Sequence, residues 1–307
     1  MNDIKPFNIE DFRHLYPFKS NWFENNGFRQ HYLDEGVGDP MVMVHGNPSW
    51  SFLFRALIPA FKHDHRVIVP DHIGCGLSDK PDAKRYSYTL EQRIRDLEAL
   101  IEHLGINRPI TLVLHDWGGA IGMGFANRHA LQVKRLVLFN TAAFPLPDEM
   151  DFPWPLWLFR NSRLGEWFNR GFNAFAEIAA RTSTCTPLSE ELQRAFTGPY
   201  DSWANRVATT HFVQDIPLRT GDPSWGTIKQ IESGLSQFKK TPTLICWGQR
   251  DFIFRRPFLN TWRRHLPQAS VHTFPEAGHY LLEDVGEKVI GLIREFLTRY
   301  PLSGDRF

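Results

Sequence analysis

The chain has 307 residues, of which 42% are hydrophobic and 22% are charged. These proportions are typical of soluble globular proteins and exclude a disordered or collagen-like chain. There are 35 lysine and arginine residues against 34 aspartate and glutamate residues, a formal net charge of +1, and the sequence contains no long run of like charge. Nucleic acid is therefore not an expected partner.

The cysteines and the apolar runs indicate the compartment. Cys75, Cys185 and Cys246 are widely spaced, without the paired spacing of a zinc site or the even number of a disulfide framework. We therefore expect a reducing, cytoplasmic environment. Charged residues interrupt the apolar positions of Met1–Phe18, which argues against a signal peptide. No apolar run reaches the length of a membrane span, so none is expected.

Short runs rich in β-branched residues predict strands, and helix-length segments separate most of them. The predicted strands are Met41–Val44, Val67–Val69, Ile110–Leu114, Leu136–Phe139 and Thr243–Trp247. Strands that alternate with helices pair in parallel and are covered on both faces. The sequence therefore predicts an α/β fold with a mostly parallel central sheet.

Three helices of the main domain are predicted from their apolar spacing: Leu90–Leu104, followed by Gly105, then Trp117–His129 and Val285–Leu297. The alternation of strands and helices stops over 144–234, where prolines and aromatic residues dominate. We predict that this segment is an inserted helical cap. The main domain would then consist of 1–143 and 235–307.

Aromatic residues are dense near the start of the predicted cap. Within Pro145–Phe175 they are Phe152, Trp154, Trp157, Phe159, Trp167, Phe168, Phe172 and Phe175. They either pack the cap onto the main domain or line an apolar cavity for a small molecule. A third interpretation is an exposed apolar patch, which would promote self-association or contact with partner enzymes or a membrane surface.

The run LVLHDWGG, Leu112–Gly119, predicts a strand that enters a sharp turn. This pattern is typical of a nucleophile elbow, where a strained turn holds the nucleophile above the sheet at a helix N-terminus. Asp116 occupies the nucleophile position, and the chain has no G-x-S-x-G sequence, which argues against a serine esterase or lipase. A carboxylate there can attack an electrophilic carbon and form an alkyl ester. Alternatively, Asp116 only caps the helix that begins at Trp117.

An acid and a histidine follow Asp116 in the chain order of an α/β-hydrolase triad. Asp251 lies just past a predicted strand in CWGQRD, and His279 follows a glycine in EAGHY. In such a triad the acid orients the histidine and stabilises its imidazolium. Because Asp116 is already ionised at neutral pH, His279 is needed to activate the water that cleaves the ester. Taken singly, a structural histidine and a surface salt bridge are the alternatives.

The segment HGNPSW, His45–Trp50, directly follows the first predicted strand. In an α/β-hydrolase the backbone N–H groups after that strand and after the nucleophile form an oxyanion hole; here they belong to Asn47 and Trp117. Their side chains add an amide and an indole N–H that can both donate to one leaving anion. The two residues predict a halide or carboxylate pocket. The alternative is a turn asparagine beside Pro48 and a core tryptophan.

The motifs HGNPSW, PDHIGCGLSDKP (Pro70–Pro81), LHDWGG and AGHY together resemble the haloalkane dehalogenases of the α/β-hydrolase superfamily, over nearly the whole chain. The resemblance implies the α/β-hydrolase fold with a helical cap after the sixth strand. It also implies displacement of halide by Asp116 and halide binding by Asn47 and Trp117.

The resemblance further implies hydrolysis of the alkyl ester by His279 paired with an acid. Members of the family carry this acid after one of two strands. At the earlier position the chain has Asn140, so Asp251 is the expected acid. This arrangement is similar to the third subfamily of dehalogenases.

The same subfamily includes the β-lactone decarboxylases of long-chain olefin biosynthesis, which the chain also resembles, notably in PYDSWANR (199–206) and FVQDIPL (212–218). The carboxylate attacks a carbon whose leaving group is an anion, either a halide or the carboxylate of the lactone itself. The shared residues do not separate the two activities.

We predict a haloalkane dehalogenase that gives alcohol, halide and a proton through an aspartyl-alkyl ester. The alternative is a cis-3-alkyl-4-alkyl-β-lactone (oxetan-2-one) decarboxylase that releases a long-chain alkene and CO2. The expected ligands are a small apolar substrate and a halide ion, with no metal or organic cofactor. The sequence is also compatible with a homo-oligomer or with an assembly with enzymes of olefin biosynthesis.

Three neighbouring functions are disfavoured. Epoxide hydrolases typically use two cap tyrosines to protonate the epoxide, and the predicted cap contains only Tyr200. Fluoroacetate dehalogenases place arginines beside the nucleophile, where this chain has Trp117. A non-enzymatic receptor or scaffold of the same fold is the remaining alternative, and turnover of any substrate would exclude it.

Overall fold

A computed structural model describes residues 7–302. Within this range, eight strands form one sheet in the order β1-β2-β4-β3-β5-β6-β7-β8. The strands are β1 (Asn21–Asn25), β2 (Phe28–Glu35), β3 (Asp39–Val44), β4 (His65–Pro70), β5 (Ile110–Asp116), β6 (Val133–Thr141), β7 (Thr243–Gly248) and β8 (Ser270–Phe274). β2 is antiparallel to β1 and β4, and the remaining pairs are parallel.

The five strands predicted from the sequence lie within β3 to β7, and the predicted mostly parallel sheet is confirmed. β5 and β7 are buried along their whole length. Strands covered by helices on both faces are apolar throughout rather than alternating, which is why these runs stood out in the sequence.

The α-helices within residues 7–302 are α1 (Leu57–Phe61), α2 (Leu90–His103), α3 (Trp117–Arg128), α4 (Trp154–Asn161), α5 (Arg163–Phe172), α6 (Ala174–Thr182), α7 (Glu190–Thr197), α8 (Val207–Gln214), α9 (Trp225–Gly234), α10 (Arg256–His265) and α11 (Leu281–Arg299). The three predicted helices correspond to α2, α3 and α11. The α2 helix begins where the Thr89 side chain accepts a hydrogen bond from the Gln92 N–H, a typical N-cap.

The segment between β6 and β7 contains helices α4 to α9 and no strand in the described residues. Helix α9 contacts α3. The side-chain amide of Asn127 in α3 donates to the carbonyl of Ile231 in α9 at 2.9 Å. Ile231 also lies in the same core cluster as residues of the central sheet. The boundaries of the cap, 144–234, stay a prediction, and α9 is one part of that segment that packs on the main domain.

The aromatic residues near the start of the cap segment divide into two groups. Phe152 and Phe175 line a cavity, and Phe159 packs against Phe175. The other five are exposed: Trp154, Trp157, Trp167, Phe168 and Phe172. Helix α5 therefore turns an aromatic stripe outward and buries the polar Asn169. No helix in residues 7–302 is both long and apolar enough to cross a membrane.

Candidate active site

Asp116 lies at the end of β5, where the chain turns sharply into α3. Its φ of 53° and ψ of −126° place a non-glycine residue in a strained region of backbone space. The Thr141 hydroxyl, at the end of the neighbouring strand β6, donates to the Asp116 carbonyl and holds this turn. The side chain does not cap α3 in the usual way. The carboxylate is thereby presented at the C-terminal edge of the sheet.

Glycines allow the backbone to approach this carboxylate closely. A Cβ on Gly46 would lie 1.9 Å from Asp116 Oδ1, and a Cβ on Gly118 would lie 2.0 Å from the Val44 carbonyl oxygen. Neither position accepts a side chain unless the loop after β3 or the turn from β5 into α3 moves. The glycines in HGNPSW and DWGG are therefore required by the site itself.

The Asp116 carboxylate is buried and accepts backbone hydrogen bonds. The Asn47 N–H donates to its Oδ1 at 2.6 Å. Burial disfavours the charged form and raises the pKa of Asp116 to about 6, while His279 and the backbone N–H groups of Asn47 and Trp117 oppose this effect. The carboxylate is thus ionised at neutral pH but poorly hydrated, which favours nucleophilic attack.

His279 lies between two carboxylates. Its Nδ1 is 2.7 Å from Asp251 Oδ2, and its Nε2 is 3.7 Å from Asp116 Oδ2. Burial works against the imidazolium, but the charge of Asp251, its hydrogen bond and the charge of Asp116 outweigh burial and raise the pKa of His279. The histidine therefore carries a proton more readily than a free imidazole, directly beside the candidate nucleophile.

Asp251 is held by groups that sequence reasoning did not assign to the site. Its Oδ1 accepts the backbone N–H groups of Ile253 and Phe254 at 2.7 and 2.9 Å. Its Oδ2 accepts the Asn140 side-chain amide at 3.0 Å, in addition to His279. The position of Asn140 after a predicted strand was visible in the sequence, but its contact with a loop beyond another strand was not.

Of the two predicted anion donors, Trp117 follows Asp116 in the sequence, and Asn47 reaches Asp116 from the loop after β3. Trp117 is half-buried and lines the same cavity as Asn47 and Asp116. The Asn47 side-chain amide donates to the Thr209 carbonyl in α8 at 3.2 Å, and its Oδ1 has no hydrogen-bond partner. An amide group carries two N–H bonds. One Asn47 N–H is thus held by the cap segment, and the second is available for a bound anion.

Asn47, Asp116 and Trp117 line one apolar cavity. It has about 870 Å³ of empty space, which includes its open mouth. Apart from Asn47 and Asp116, its lining residues within the described range are aliphatic, aromatic or proline. They come from both the main domain and the cap segment: among them are Phe144, Met150, Phe152, Leu156, Phe175, Val213, Ile228, Phe254 and Phe258. The cavity fits an apolar ligand with one reactive polar centre at Asp116.

Other chemistries receive no support from this site. Tyr200 is buried and does not line the cavity, and its hydroxyl lies 3.4 Å from the Ser49 carbonyl. Among residues 7–302 no group of histidine, cysteine and acidic side chains is arranged to hold a metal ion.

All five residues predicted from the sequence, Asn47, Asp116, Trp117, Asp251 and His279, meet at one end of the sheet.

Comparison with known proteins identifies relatives over some nine-tenths of the chain. Residues 39–284 match the family model of the alpha/beta hydrolase fold. The chain is 53% identical over 285 residues to a cis-3-alkyl-4-alkyloxetan-2-one decarboxylase of Shewanella oneidensis, covering 92% of this chain and 90% of that protein. It is 50% identical over 283 residues to a protein of the same name from Xanthomonas campestris pv. campestris, covering 90% and 94%.

Solved structures give the same fold. The haloalkane dehalogenase DatA from Agrobacterium tumefaciens C58 is 26% identical and superposes with a TM-score of 0.82, covering 92% of this chain and 97% of DatA. The predicted fold class is thereby confirmed. Both families that the motifs resemble are found among the similar proteins, and the two decarboxylases share about twice as many identical residues with this chain as DatA does.

Proposed function

Because the chain belongs to the α/β-hydrolase fold family, in the group of haloalkane dehalogenases and cis-3-alkyl-4-alkyloxetan-2-one decarboxylases, we propose that it decarboxylates such β-lactones to alkenes. The observation that carries the proposal is the 50 to 53% identity to two decarboxylases over some nine-tenths of the chain. DatA is only 26% identical. The comparisons thus support the alternative activity better than the dehalogenase that the motifs favoured.

In the first step, a carboxylate oxygen of Asp116 attacks C4, the saturated ring carbon that bears the ring oxygen. A bond forms between Asp116 and C4 as the bond from C4 to the ring oxygen breaks. The electron pair of the broken bond stays on that oxygen and makes the lactone a free carboxylate. The side-chain N–H groups of Asn47 and Trp117 donate to this leaving anion, in the way an oxyanion hole stabilises developing charge.

In the second step, the bond between C3 and the new carboxylate breaks and CO2 leaves. Its electron pair becomes the double bond between C3 and C4, and the C4 bond to Asp116 breaks to regenerate the carboxylate. No proton and no water are consumed. Attack inverts C4 and places Asp116 opposite the departing CO2, so elimination without rotation converts a cis lactone into a cis alkene.

His279 has an electrostatic role in this reaction. Held by Asp251 at 2.7 Å, its imidazolium supplies positive charge next to Asp116 and next to the anion that forms. Dehalogenation requires the opposite protonation state, because a neutral imidazole must accept a proton from the water that cleaves the alkyl ester. In the free enzyme the charges of Asp251 and Asp116 raise the pKa of His279 and so stabilise the imidazolium that this role requires.

The apolar cavity supports the same substrate. A β-lactone with two alkyl chains buries a large apolar surface, which the aliphatic and aromatic lining accommodates. The exclusion of water around Asp116, which is 5% exposed, also protects the alkyl ester from hydrolysis before CO2 leaves.

Haloalkane dehalogenation is the second candidate function, supported by the similarity to DatA over 92% of the chain. One protein preparation assayed with two substrates separates the two candidate activities. Alkene formed from a long-chain cis-3,4-dialkyl-β-lactone is measured by gas chromatography, and bromide released from 1-bromohexane is measured in parallel. We expect rapid alkene formation that is lost in Asp116→Ala, and slow or no bromide release. Fast bromide release without alkene would overturn the proposal in favour of the second function.

A further inference from the structure

Helix α8 of the cap segment contacts both predicted anion donors. The Thr209 carbonyl accepts the Asn47 side-chain amide at 3.2 Å, and Phe212 packs edge-on against Trp117 with 5.4 Å between ring centroids. Val213, the next residue, lines the cavity. Helix α8 therefore contacts the Asn47 amide through Thr209 and the Trp117 indole through Phe212.

Arg93, in the first turn of α2, connects the main domain to this helix. Its guanidinium carbon lies 3.6 Å from the centroid of the Phe212 ring and 5.7 Å from that of Trp117. Its Nη1 donates at 3.3 Å to the carboxylate of Asp215, the residue that directly follows α8. One side chain thus contacts the aromatic residue behind Trp117 and the C-terminal end of α8.

Asp215 attaches the end of α8 to the start of α2. In addition to Arg93, its carboxylate accepts the backbone N–H of Leu90 at 2.7 Å and the hydroxyl of Ser224 at 2.7 Å from Oδ1. The same Leu90 N–H also lies 3.1 Å from the Ser224 hydroxyl oxygen. A charged and hydrogen-bonded junction therefore holds α8 against the main domain beside the candidate site.

Burial of Arg93 has a cost that packing alone does not explain. The residue is 1% exposed, and its Nε and Nη2 have no hydrogen-bond acceptor among the described residues. A buried guanidinium without a full set of acceptors is unfavourable unless a counter-charge and aromatic faces stabilise it. Apolar side chains often replace buried ion pairs without loss of stability. The cost indicates a role for the guanidinium itself.

We propose that Arg93 is a positioning residue for the leaving anion, acting through Phe212 and Asp215 to fix α8 and so to orient the Asn47 amide and the Trp117 indole. The inference rests on the proposed function, because it takes the leaving carboxylate to bind between those two donors. Arg93 is not among the residues that line the cavity, so it acts through others.

Three variants separate the parts of this arrangement. Arg93→Met removes the charge and keeps an unbranched apolar stem, whereas Arg93→Lys keeps the charge and removes the planar group that lies on Phe212. Phe212→Leu removes the link to Trp117 and leaves the ion pair intact. Arg135→Met is the matched control, because Arg135 is also buried but lies near the start of β6, at the opposite end of the sheet from Asp116.

Two measurements are made on each variant: the dissociation constant for bromide, from the saturable quenching of tryptophan fluorescence, and kcat and KM for a cis-β-lactone. Trp117→Phe identifies the part of the quenching that comes from the site. We expect Arg93→Met and Phe212→Leu to weaken bromide binding and to lower kcat, each on the order of 10- to 10²-fold, with KM little changed. Arg93→Lys should fall between these variants and the wild type.

Arg135→Met should leave both quantities unchanged even where it lowers the melting temperature. Bromide binding needs no turnover, so a wild-type protein that binds bromide but forms no alkene would refute the proposed function alone. The positioning role is overturned if Arg93→Met folds and keeps wild-type bromide affinity and kcat. If Arg93→Met does not fold, wild-type values for both Arg93→Lys and Phe212→Leu overturn it.

Discussion

Asn140 donates its side-chain amide to the carboxylate of Asp251 across the ends of neighbouring strands, with 3.0 Å between Nδ2 and Oδ2. Asn140 is itself fixed by Gly248, whose N–H donates to Asn140 Oδ1 at 2.8 Å and whose carbonyl accepts from Nδ2 at 3.0 Å. The residue at the end of β6 therefore orients the acid that follows β7. Asn140 Nδ2 and His279 Nδ1 both contact Asp251 Oδ2.

Moving the acid between these positions tests its role. Asp251→Asn removes the charge that raises the pKa of His279, so we expect alkene formation to fall on the order of 10²-fold. Adding Asn140→Asp to Asp251→Asn places a carboxylate at the other of the two positions. This double variant should form alkene roughly tenfold faster than Asp251→Asn alone. Steady-state assays of both variants measure this. A wild-type rate in Asp251→Asn would show that His279 needs no counter-charge.

Removing either side-chain anion donor should slow the reaction. We expect Asn47→Ala and Trp117→Phe each to lower kcat by roughly 10²- to 10³-fold, because each loses one hydrogen bond to the anion in the transition state. The control is Trp22→Phe, which changes a half-exposed indole on β1. Full activity in both donor variants, measured as alkene released per second, would mean that the anion binds elsewhere.

Replacement of His279 should separate the two candidate activities. With 1-bromohexane, His279→Phe should form the Asp116 alkyl ester and be unable to hydrolyse it, so intact-mass measurement should show an added alkyl group. With the β-lactone, the ester decomposes without water, so the variant should release alkene slowly and accumulate no adduct.

Asp116→Ala combined with His279→Phe is the control, because it lacks the nucleophile and should gain no mass from either compound. A lactone adduct that persists in His279→Phe would contradict decarboxylation without water. An unchanged mass after exposure to 1-bromohexane would instead count against attack by Asp116 on a saturated carbon.

The two reactions should differ in pH dependence. Burial raises the pKa of Asp116 to about 6, so alkene formation should decline as the pH falls below about 6 and the carboxylate is protonated. Decarboxylation also needs the His279 imidazolium, so it should decline as the pH rises through the raised pKa of His279, whereas hydrolysis of an alkyl ester needs neutral His279 and should not decline there. Rates of both reactions from acidic to alkaline pH measure this difference, and identical pH profiles would contradict the assigned role of His279.

Asp116 should also reduce the stability of the folded chain at neutral pH. Its pKa rises from 3.8 to about 6 on folding, so the folded state binds the proton more tightly, and stability is lost as the pH rises through about 6. Asp116→Asn should therefore increase the free energy of unfolding at pH 8 by up to ~3 kcal/mol. Urea unfolding at pH 8 and pH 4 tests this, and the difference should nearly vanish at pH 4.

Much of the fold and all five candidate site residues could be predicted from the sequence, because the signals are local. The strands β3 to β7 are short apolar runs, and the elbow at Asp116 is marked by Trp117 and two glycines. Chain order then placed Asp251 and His279 after it. Each of these patterns spans a few residues and needs no knowledge of packing.

Contacts between distant segments could not be predicted in this way. The amide of Asn140 reaches Asp251 only because β6 and β7 are neighbours, and the Thr209 carbonyl reaches Asn47 only through the packing of α8. The outward orientation of the aromatic residues on α5 could not be predicted from the sequence either. The sequence shows aromatic residues at helical spacing there, but not that Asn169 faces inward and bonds Thr209 and Thr210.

The most direct test of the account follows the oxygen atoms of Asp116 during turnover in water enriched in oxygen-18. In decarboxylation the C4 bond to Asp116 forms and breaks at the same oxygen. The peptide that contains Asp116 should therefore stay unlabelled after many turnovers of the β-lactone to alkene, and gain label only with a haloalkane that is hydrolysed. Label in Asp116 after lactone turnover, with a β-hydroxy acid as product, would contradict the account.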